Sequence, residues 1–336
     1  MPLTSVQERT LVELMASKEE RPVFSADLAD GLRSTLEKRL APIAERIDDG
    51  DQLWATKARL TNLHLRCEGL FAANEFREGE FEYGFKLAVG NVTHKAVEVS
   101  VFRPGVPEAE LVQRALEKLR RDDSRFDEYV ERLDDVDHAE IEAESVRRTT
   151  LFRATLPPIE RAWAPVVELP LKVELLDRRV VLYGQPDISL GSQDEEDPMR
   201  ARRLFLELKT GQDRPEYDED LRFYALCATL RFGVPPFRVA TLLLDDGTWR
   251  IQDVTPDLLE AAARRVVGYF ERAIDLVNGA EPALRPGAWC AWCPRRNTCP
   301  ESTAKDPVVV GESQAVRSSP VRGVRGESSP QTDRAR

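Results

Sequence analysis

Five strand-like runs with two long helices among them fill the second half of the chain and restrict its fold more than any other feature. Asp245-Asp246-Gly247 predicts a hairpin between the last two runs. Helices are predicted at 219–233 and from the capping residue Thr255 to the stop at Asn278-Gly279. Strands that alternate with helices predict an α/β fold. The five runs are VVELPLKVELL (166–176), RVVLYGQPDISL (179–190), RLFLELKTG (203–211), FRVATLLL (237–244) and TWRIQDV (248–254).

The first half is predicted to be helical. Residues 1–55 are expected to form an N-terminal helical segment, and FKLAVGNVTHKAVEVSVF (85–102) predicts a further helix. The charged stretch at about 104–160 has no strand periodicity, so we interpret it as a helical insertion in a main domain of residues 56–300. Residues 301–336 are rich in Ser, Pro, Gly and Arg, which predicts a disordered tail.

The run Leu204–Lys209 places two charged side chains in an apolar strand. Because strand side chains alternate between faces, its three leucines share one face, and Glu207 and Lys209 share the other, about 7 Å apart. In the preceding run, Pro186 removes a ladder hydrogen bond, so the strand is expected to end or bulge there. Asp187 then lies where the sheet opens, and the polar linker that follows predicts that it lies beside Glu207.

Two neighbouring carboxylates repel each other unless a cation lies between them. Oxygen ligands suit Mg²⁺ or Mn²⁺, which lowers the pKa of a bound water and stabilises charge on a phosphate. Lys209 is then placed to orient or deprotonate that water. His94 follows Gly90 by one helical turn and is a third candidate ligand. Two simpler interpretations stay open: an ion pair of Glu207 and Lys209 on a solvated face, and a surface or core role for His94.

Three of the five cysteines fall within ten residues, in the spacing Cys290-x2-Cys293-x5-Cys299. Disulfides are rare in the cytosol, so this spacing indicates a metal site, and Cys67 is the candidate fourth ligand. Thiolates suit both zinc and iron–sulfur clusters. Cys227 lies in an apolar helical stretch and is predicted to be a small buried hydrophobic residue.

The order Gly-x-x-x-His, then Gln-Pro-Asp, then Glu-Leu-Lys, then a helix with RFYAL resembles the RecB-like branch of the PD-(D/E)XK nucleases. The resemblance covers about residues 60–300, apart from the insertion. It implies a restriction-endonuclease-like core, in which a mixed central sheet is flanked by helices, and Lys209 as the catalytic lysine. The metal ligands that it implies are His94, Asp187, Glu207 and the backbone carbonyl of Leu208.

Two further family features extend the resemblance. The family has a Gln-x-x-x-Tyr motif on the next helix; Tyr224 fits as a DNA contact, but Asp220 stands where Gln is expected. The order of the cysteines resembles the iron–sulfur members of the branch, such as the AddB nuclease domain and the CRISPR-associated adaptation nuclease. It implies a [4Fe–4S] cluster, with Zn²⁺ as the alternative, that staples the two ends of the domain. Its ligands would be Cys67, Cys290, Cys293 and Cys299.

A formal net charge of -11 excludes a surface that is basic throughout, so contact with nucleic acid must come from a local patch. Arg295 and Arg296 lie inside the cysteine loop and are candidates for phosphate contact. The chain has no Walker A pattern, so it has no helicase motor of its own, and a helicase or another repair protein is a candidate partner. No run approaches the ~18 apolar residues of a membrane span, and the first 22 residues lack the basic start and apolar block of a signal peptide. Both observations predict a cytoplasmic protein without membrane contact.

The favoured function is that of a metal-dependent DNA nuclease, an exonuclease or an enzyme that acts on single strands or ends in repair, recombination or defence. The alternative is a non-cutting nucleic-acid-binding or scaffold subunit that keeps the nuclease fold. The acidic charge and Asp220 favour the alternative, whereas the complete set of His94, Asp187, Glu207 and Lys209 opposes it.

Overall fold

The computed structural model describes residues 2–48, 50–78, 83–193 and 196–303 and the backbone of 322–324. Its helices are α1 (Ser5–Leu14), α2 (Leu28–Ala44), α3 (Lys57–Thr61), α4 (Glu68–Glu75), α5 (Phe85–Phe102), α6 (Glu108–Asp122), α7 (Ser124–Glu131), α8 (Asp135–Thr155), α9 (Glu216–Phe232) and α10 (Pro256–Val277). Its strands are β1 (Asp51–Thr56), β2 (Val166–Val167), β3 (Leu171–Leu175), β4 (Val180–Gly184), β5 (Ile188–Leu190), β6 (Leu204–Lys209), β7 (Arg238–Leu243), β8 (Thr248–Asp253) and β9 (Arg322–Val324).

The strands form two mixed sheets, in the orders β3–β4–β1–β9 and β2–β5–β6–β7–β8. β1 runs parallel to β4, and β6 runs parallel to β7, whereas the other neighbours are antiparallel. The chain passes from the first sheet to the second at Gln185-Pro186-Asp187, between β4 and β5. The mixed α/β class and the interruption at Pro186 are therefore confirmed, but the single central sheet of the prediction is divided in two.

The side chains of β6 alternate between two hydrophobic cores. Leu204, Leu206 and Leu208 pack into one core with β5 and β7. Phe205 points to the opposite face and joins a core built with α2, α9 and α10. Since Glu207 and Lys209 alternate with the leucines, they share the face of Phe205, and the predicted alternation is confirmed.

The strand β1 contradicts the prediction that residues 1–55 are helical. Leu53 and Ala55 are fully buried, and Leu53 pairs with Val180 in β4. A turn at Gly50, where φ is 101°, directs the chain into this strand. The other edge of β1 pairs with β9, so the prediction of disorder is wrong for those three residues. Residues 304–321 and 325–336 of the predicted tail lie outside the described residues.

The helices α6, α7 and α8 confirm the helical character predicted for residues 104–160. They pack with α5 around their own core, which includes Leu111, Ala115 and Phe126. This layer holds α5 against the second sheet, because Val97 and Val101 of α5 reach the leucine face of that sheet. Whether these helices are an insertion stays a prediction. No helix in the described part of the chain is long and apolar enough to cross a membrane.

Candidate active site

Three elements bring the predicted site residues together. β6 carries Glu207 and Lys209 at its end. Asp187 precedes Ile188, which pairs with Leu206, so Asp187 lies across from Glu207 as predicted. The helix α5 adds His94, whose Nδ1 lies 3.1 Å from Asp187 Oδ1.

The carboxylate of Asp187 is held on both oxygens. Oδ1 faces His94, and Oδ2 accepts a hydrogen bond of 2.7 Å from the Leu208 N–H. Burial raises the pKa of Asp187, but His94, Lys57 and the Leu208 amide outweigh it and hold the pKa at about 2. Burial lowers the pKa of His94, but Asp187 outweighs that effect and raises it. Asp187 is therefore ionised at neutral pH.

The hydrogen bond of Leu208 also fixes the direction of its carbonyl. In an antiparallel ladder, the N–H and C=O of one residue point toward the same neighbouring strand. Since the Leu208 N–H points to Asp187, its carbonyl is directed to that side as well. The predicted backbone ligand thus lies on the side of β6 that faces Asp187, the residue before β5 begins.

Glu207 is the most buried acid of the site, with 1 % of its side chain exposed. Its Oε1 accepts a hydrogen bond of 3.0 Å from Lys209 Nζ and a second from Lys57 Nζ. Its Oε2 is buried and has no hydrogen-bond partner among the described residues. Burying a polar atom without a partner is costly, so this oxygen fits a ligand for a cation.

Lys57 is the site residue that the sequence analysis missed. It is the first residue of α3 and directly follows β1, where Thr56 pairs with Tyr183 of β4. This pairing sets the start of α3 beside the strand that leads to Asp187. The available signal was the turn at Gly50 before the short run DQLWAT, whose consecutive apolar residues Leu53 to Ala55 are consistent with a strand.

Lys209 is held between two acids. Its Nζ lies 3.0 Å from Glu207 and 3.5 Å from Asp220, and only 6 % of its side chain is exposed. Burial lowers the pKa of Lys209, and so does Lys57, but Glu207 and Asp220 outweigh both and raise it above its ordinary value. Asp220 is itself buried and accepts a hydrogen bond of 3.0 Å from Thr61. Lys209 is therefore an ammonium ion in this arrangement.

The structure contradicts the prediction that Tyr224 contacts DNA. Its side chain is 1 % exposed and points into the protein, below the ammonium of Lys57, which lies 5.2 Å from the ring centroid. The ring also packs against Gly184, where a Cβ would lie 2.6 Å from Tyr224 Cδ1. Tyr224 supports the backbone that leads to Asp187 instead of facing solvent.

A second charged group borders the site on α5. Lys95 Nζ contacts both Glu98, at 2.5 Å, and Glu168, at 3.3 Å. Burial raises the pKa of Glu98 to about 7, with Glu168 and Asp187 adding to the effect and Lys95 opposing it. Glu98 lies one helical turn after His94, as its spacing predicts, and extends the acidic character of this edge.

All four predicted cluster ligands line one cavity, which Trp289 helps to close. Cys67 and Cys290 are buried, and the N–H groups of Arg285 and Gly287 point at their sulfurs, at 3.4 and 3.5 Å. Burial raises the pKa of the Cys293 thiol, and the three other thiols add to that rise. Cys227 is fully buried in α9, as predicted. The other two cysteines that line the cavity are Cys293 and Cys299.

The two arginines of the cysteine loop are already engaged. Arg295 forms a two-pronged ion pair with Glu78, which follows α4. Arg296 donates a hydrogen bond of 3.4 Å to the Ala291 carbonyl. Arg295 therefore ties the loop to the early part of the domain, and a phosphate would have to displace Glu78 to reach it.

Comparisons with known proteins agree with this geometry. Residues 58–300 match the model of the PD-(D/E)XK nuclease superfamily. The chain belongs to this superfamily. A search of the curated proteins finds no match.

Two solved structures are similar to this chain at low sequence identity. A "Putative exonuclease" from Eubacterium rectale is 15% identical, over 75% of this chain and 90% of that chain, with a TM-score of 0.42. The protein SSO0001 is 12% identical, over 81% of this chain and 95% of that chain, with a TM-score of 0.31.

Nucleases of the PD-(D/E)XK superfamily typically use divalent metals such as Mg²⁺. The donor set at Asp187, Glu207 and Leu208 is made of oxygens, which suits such a metal, and Glu207 Oε2 is free to accept one. Among the described residues, however, no group of three or more His, Cys, Asp or Glu side chains is arranged to hold a metal ion as it stands. A bound metal therefore requires side chains at this site, and at the cysteine cavity, to exchange their present partners.

Proposed function

We propose that this protein is a metal-dependent DNA nuclease that hydrolyses phosphodiester bonds at strand ends or in single strands. The observation that carries the proposal is the carboxylate of Glu207, whose Oε2 is buried beside Asp187 and Lys209 and has no partner in the part of the chain that the structure describes. A buried oxygen of this kind is accounted for by a cation. Membership of the superfamily supplies the general activity, and the substrate and direction of cutting are our proposal.

The metal site in this proposal consists of His94, Asp187, Glu207 and the carbonyl of Leu208. When bound, Mg²⁺ or Mn²⁺ activates water and stabilises the charge that develops on the phosphate. Asp187 is suited to this role because it is ionised at neutral pH. His94 favours Mn²⁺ over Mg²⁺, since imidazole is a softer ligand than a carboxylate.

Lys209 acts as an electrostatic group in the proposed reaction. Its raised pKa keeps the ammonium protonated, so it donates hydrogen bonds and does not remove a proton from water in this state. An ammonium placed beside the attacked phosphate orients the water and stabilises negative charge in the transition state. Of the two roles predicted for Lys209, orientation of the water is therefore the better supported.

We also propose that the protein belongs to the iron–sulfur group of the RecB-like branch. The common cavity of Cys67, Cys290, Cys293 and Cys299 supports a [4Fe–4S] cluster or, as the alternative, Zn²⁺. Backbone N–H groups directed at two of the sulfurs are of the kind that tunes such clusters. Three further points stay predictions. They are action on DNA in repair, recombination or defence, a helicase partner, and a cytoplasmic location.

A cleavage assay tests the nuclease proposal. Single-stranded DNA labelled at either end is incubated with Mg²⁺ or Mn²⁺. Three proteins are compared: the parent, the Lys209→Met variant and the Lys38→Met variant. Lys38 lies exposed on α2, away from the site, and is the control. Lys209→Met is expected to cut slower by about 100-fold or more, the usual loss when one transition-state donor is removed. Lys38→Met is expected to cut like the parent.

The outcomes separate the two functions. If Lys209→Met folds normally and cuts as fast as the parent, the assigned site is wrong. If the parent cuts neither DNA nor RNA with either metal, the scaffold function replaces the nuclease function. The end label that appears first in small fragments gives the polarity of cutting.

A further inference from the structure

Lys57 places its ammonium group beside the carboxylates of the proposed metal site. Its Nζ donates to Glu207 Oε1, the oxygen that also accepts from Lys209. Burial lowers the pKa of Lys57, but Glu207, Asp220 and Asp187 together outweigh it, so the side chain is a cation among three acids. Lys57 thus supplies positive charge to the same carboxylates that the proposed metal would bind.

The two lysines on Glu207 are not equivalent. Lys209 has a second acid, Asp220, at 3.5 Å and lies against the ring of Tyr217, with 6 % of its side chain exposed. Lys57 is paired with Glu207 and is 13 % exposed, so it lies nearer to solvent. Among the described residues, Lys57 forms one direct ion pair at this site and Lys209 forms two, so Lys57 is the ammonium group that leaves Glu207 with the smaller loss of contacts.

The present arrangement also holds no metal-binding group of three side chains in the described residues. Since Glu207 is hydrogen-bonded to Lys57, a metal at this carboxylate competes with that ammonium for the same negative charge. Like charges at short distance repel, so a metal ion on Oε2 and the ammonium of Lys57 on Oε1 weaken each other's interaction with Glu207.

We propose that Lys57 is a positioning residue that holds Glu207 in place before metal binding and releases it to the metal. The inference rests on the proposed nuclease function, because it assumes the metal site at Asp187 and Glu207. It differs from a purely structural role, in which Lys57 would stay on Glu207 whether or not metal is bound.

The first test uses the parent protein and measures the reactivity of individual lysines. The protein is acetylated with trace acetic anhydride, with and without Mg²⁺ or Mn²⁺, and the Lys57 peptide is quantified by mass spectrometry. Release from Glu207 exposes the amino group of Lys57 to solvent, so its labelling is expected to rise severalfold with metal. Lys172, on β3, is the internal reference and is expected to stay constant. Unchanged labelling of Lys57 at saturating metal would contradict the proposal.

The second test measures metal affinity by calorimetry in Lys57→Met and Lys57→Arg. Without the competing ammonium, Lys57→Met is expected to bind Mn²⁺ about tenfold more tightly, since a charged hydrogen bond is typically worth at least that factor. Lys57→Arg keeps the charge and is expected to bind like the parent. Equal or weaker affinity in a folded Lys57→Met protein would overturn the proposal, and if that variant does not fold, the labelling result decides.

The two proposals fail in different ways. If the parent protein neither binds Mg²⁺ or Mn²⁺ nor cuts nucleic acid, the nuclease function and its metal site are wrong. If the parent binds metal, but Lys57 labelling and the affinity of Lys57→Met do not change, only the role of Lys57 is wrong.

Discussion

At the scale of single residues, Gly90 decides how closely α5 approaches the end of β6. A Cβ at this position would lie 3.3 Å from Thr210 Oγ1, one residue beyond Lys209. The missing side chain therefore lets α5 bring His94 to Asp187. A glycine inside a helix normally destabilises it relative to alanine, so its presence here is explained by the contact.

Gly90→Ala and Gly31→Ala test this explanation as a matched pair. Gly31 lies in α2, where nothing is within 4 Å of an added Cβ, so Gly31→Ala is expected to raise the free energy of unfolding by up to about 1 kcal/mol. For Gly90→Ala, the free energy of unfolding is expected to rise clearly less, or to fall, because Thr210 must move. Urea denaturation measures both, and an equal gain in the two variants would show that the approach to Thr210 is not restrictive.

At the scale of elements, the part of the site that is local in sequence was predictable and the part that depends on distant pairing was not. The alternation of β6 requires only its own six residues, and the break at Pro186 requires only the missing N–H. Lys57 reaches Glu207 because β1 pairs with β4, more than 100 residues away, and no local pattern records that pairing. Tyr224 was misplaced for the same reason: the face of α9 that carries it is covered by Gly184 and Lys57.

The start of α10 offers a test of a single element. The hydroxyl of Thr255 accepts a hydrogen bond of 3.3 Å from the Leu258 N–H, so it caps the helix as predicted. Thr255→Ala is expected to lower the free energy of unfolding by about 1 kcal/mol. Asp27 stands at the same position of α2 but makes no side-chain capping bond, so Asp27→Ala is expected to cost less. Thermal unfolding measures the difference, and equal losses in both variants would contradict the capping role of Thr255.

At the scale of the whole molecule, the C-terminal segment folds back onto the early part of the domain. Arg272, near the end of α10, pairs with Glu68 at the start of α4, at 2.5 Å. Arg285 donates hydrogen bonds to the carbonyls of Leu63 and His64, at 2.8 and 3.2 Å. Arg285 also lines the cavity of the four cysteines. A metal held there would close a loop of more than 200 residues between Cys67 and Cys290.

Cys290→Ala and Cys227→Ala test whether such a closure stabilises the molecule. Protein purified without oxygen is expected to be brown and to hold about four irons per chain. Cys290→Ala is expected to lose the iron and about 3–5 kcal/mol of unfolding free energy, because metal-binding energy at such a site is folding energy and a long loop is released. Cys227 lies in α9, outside the cavity, so Cys227→Ala is expected to keep the iron and lose only about 1 kcal/mol by leaving a small void. If the purified protein holds stoichiometric zinc and no iron, the proposed cluster is wrong and the site binds Zn²⁺. Equal stability of the two variants would show that no bound metal links the two ends of the domain.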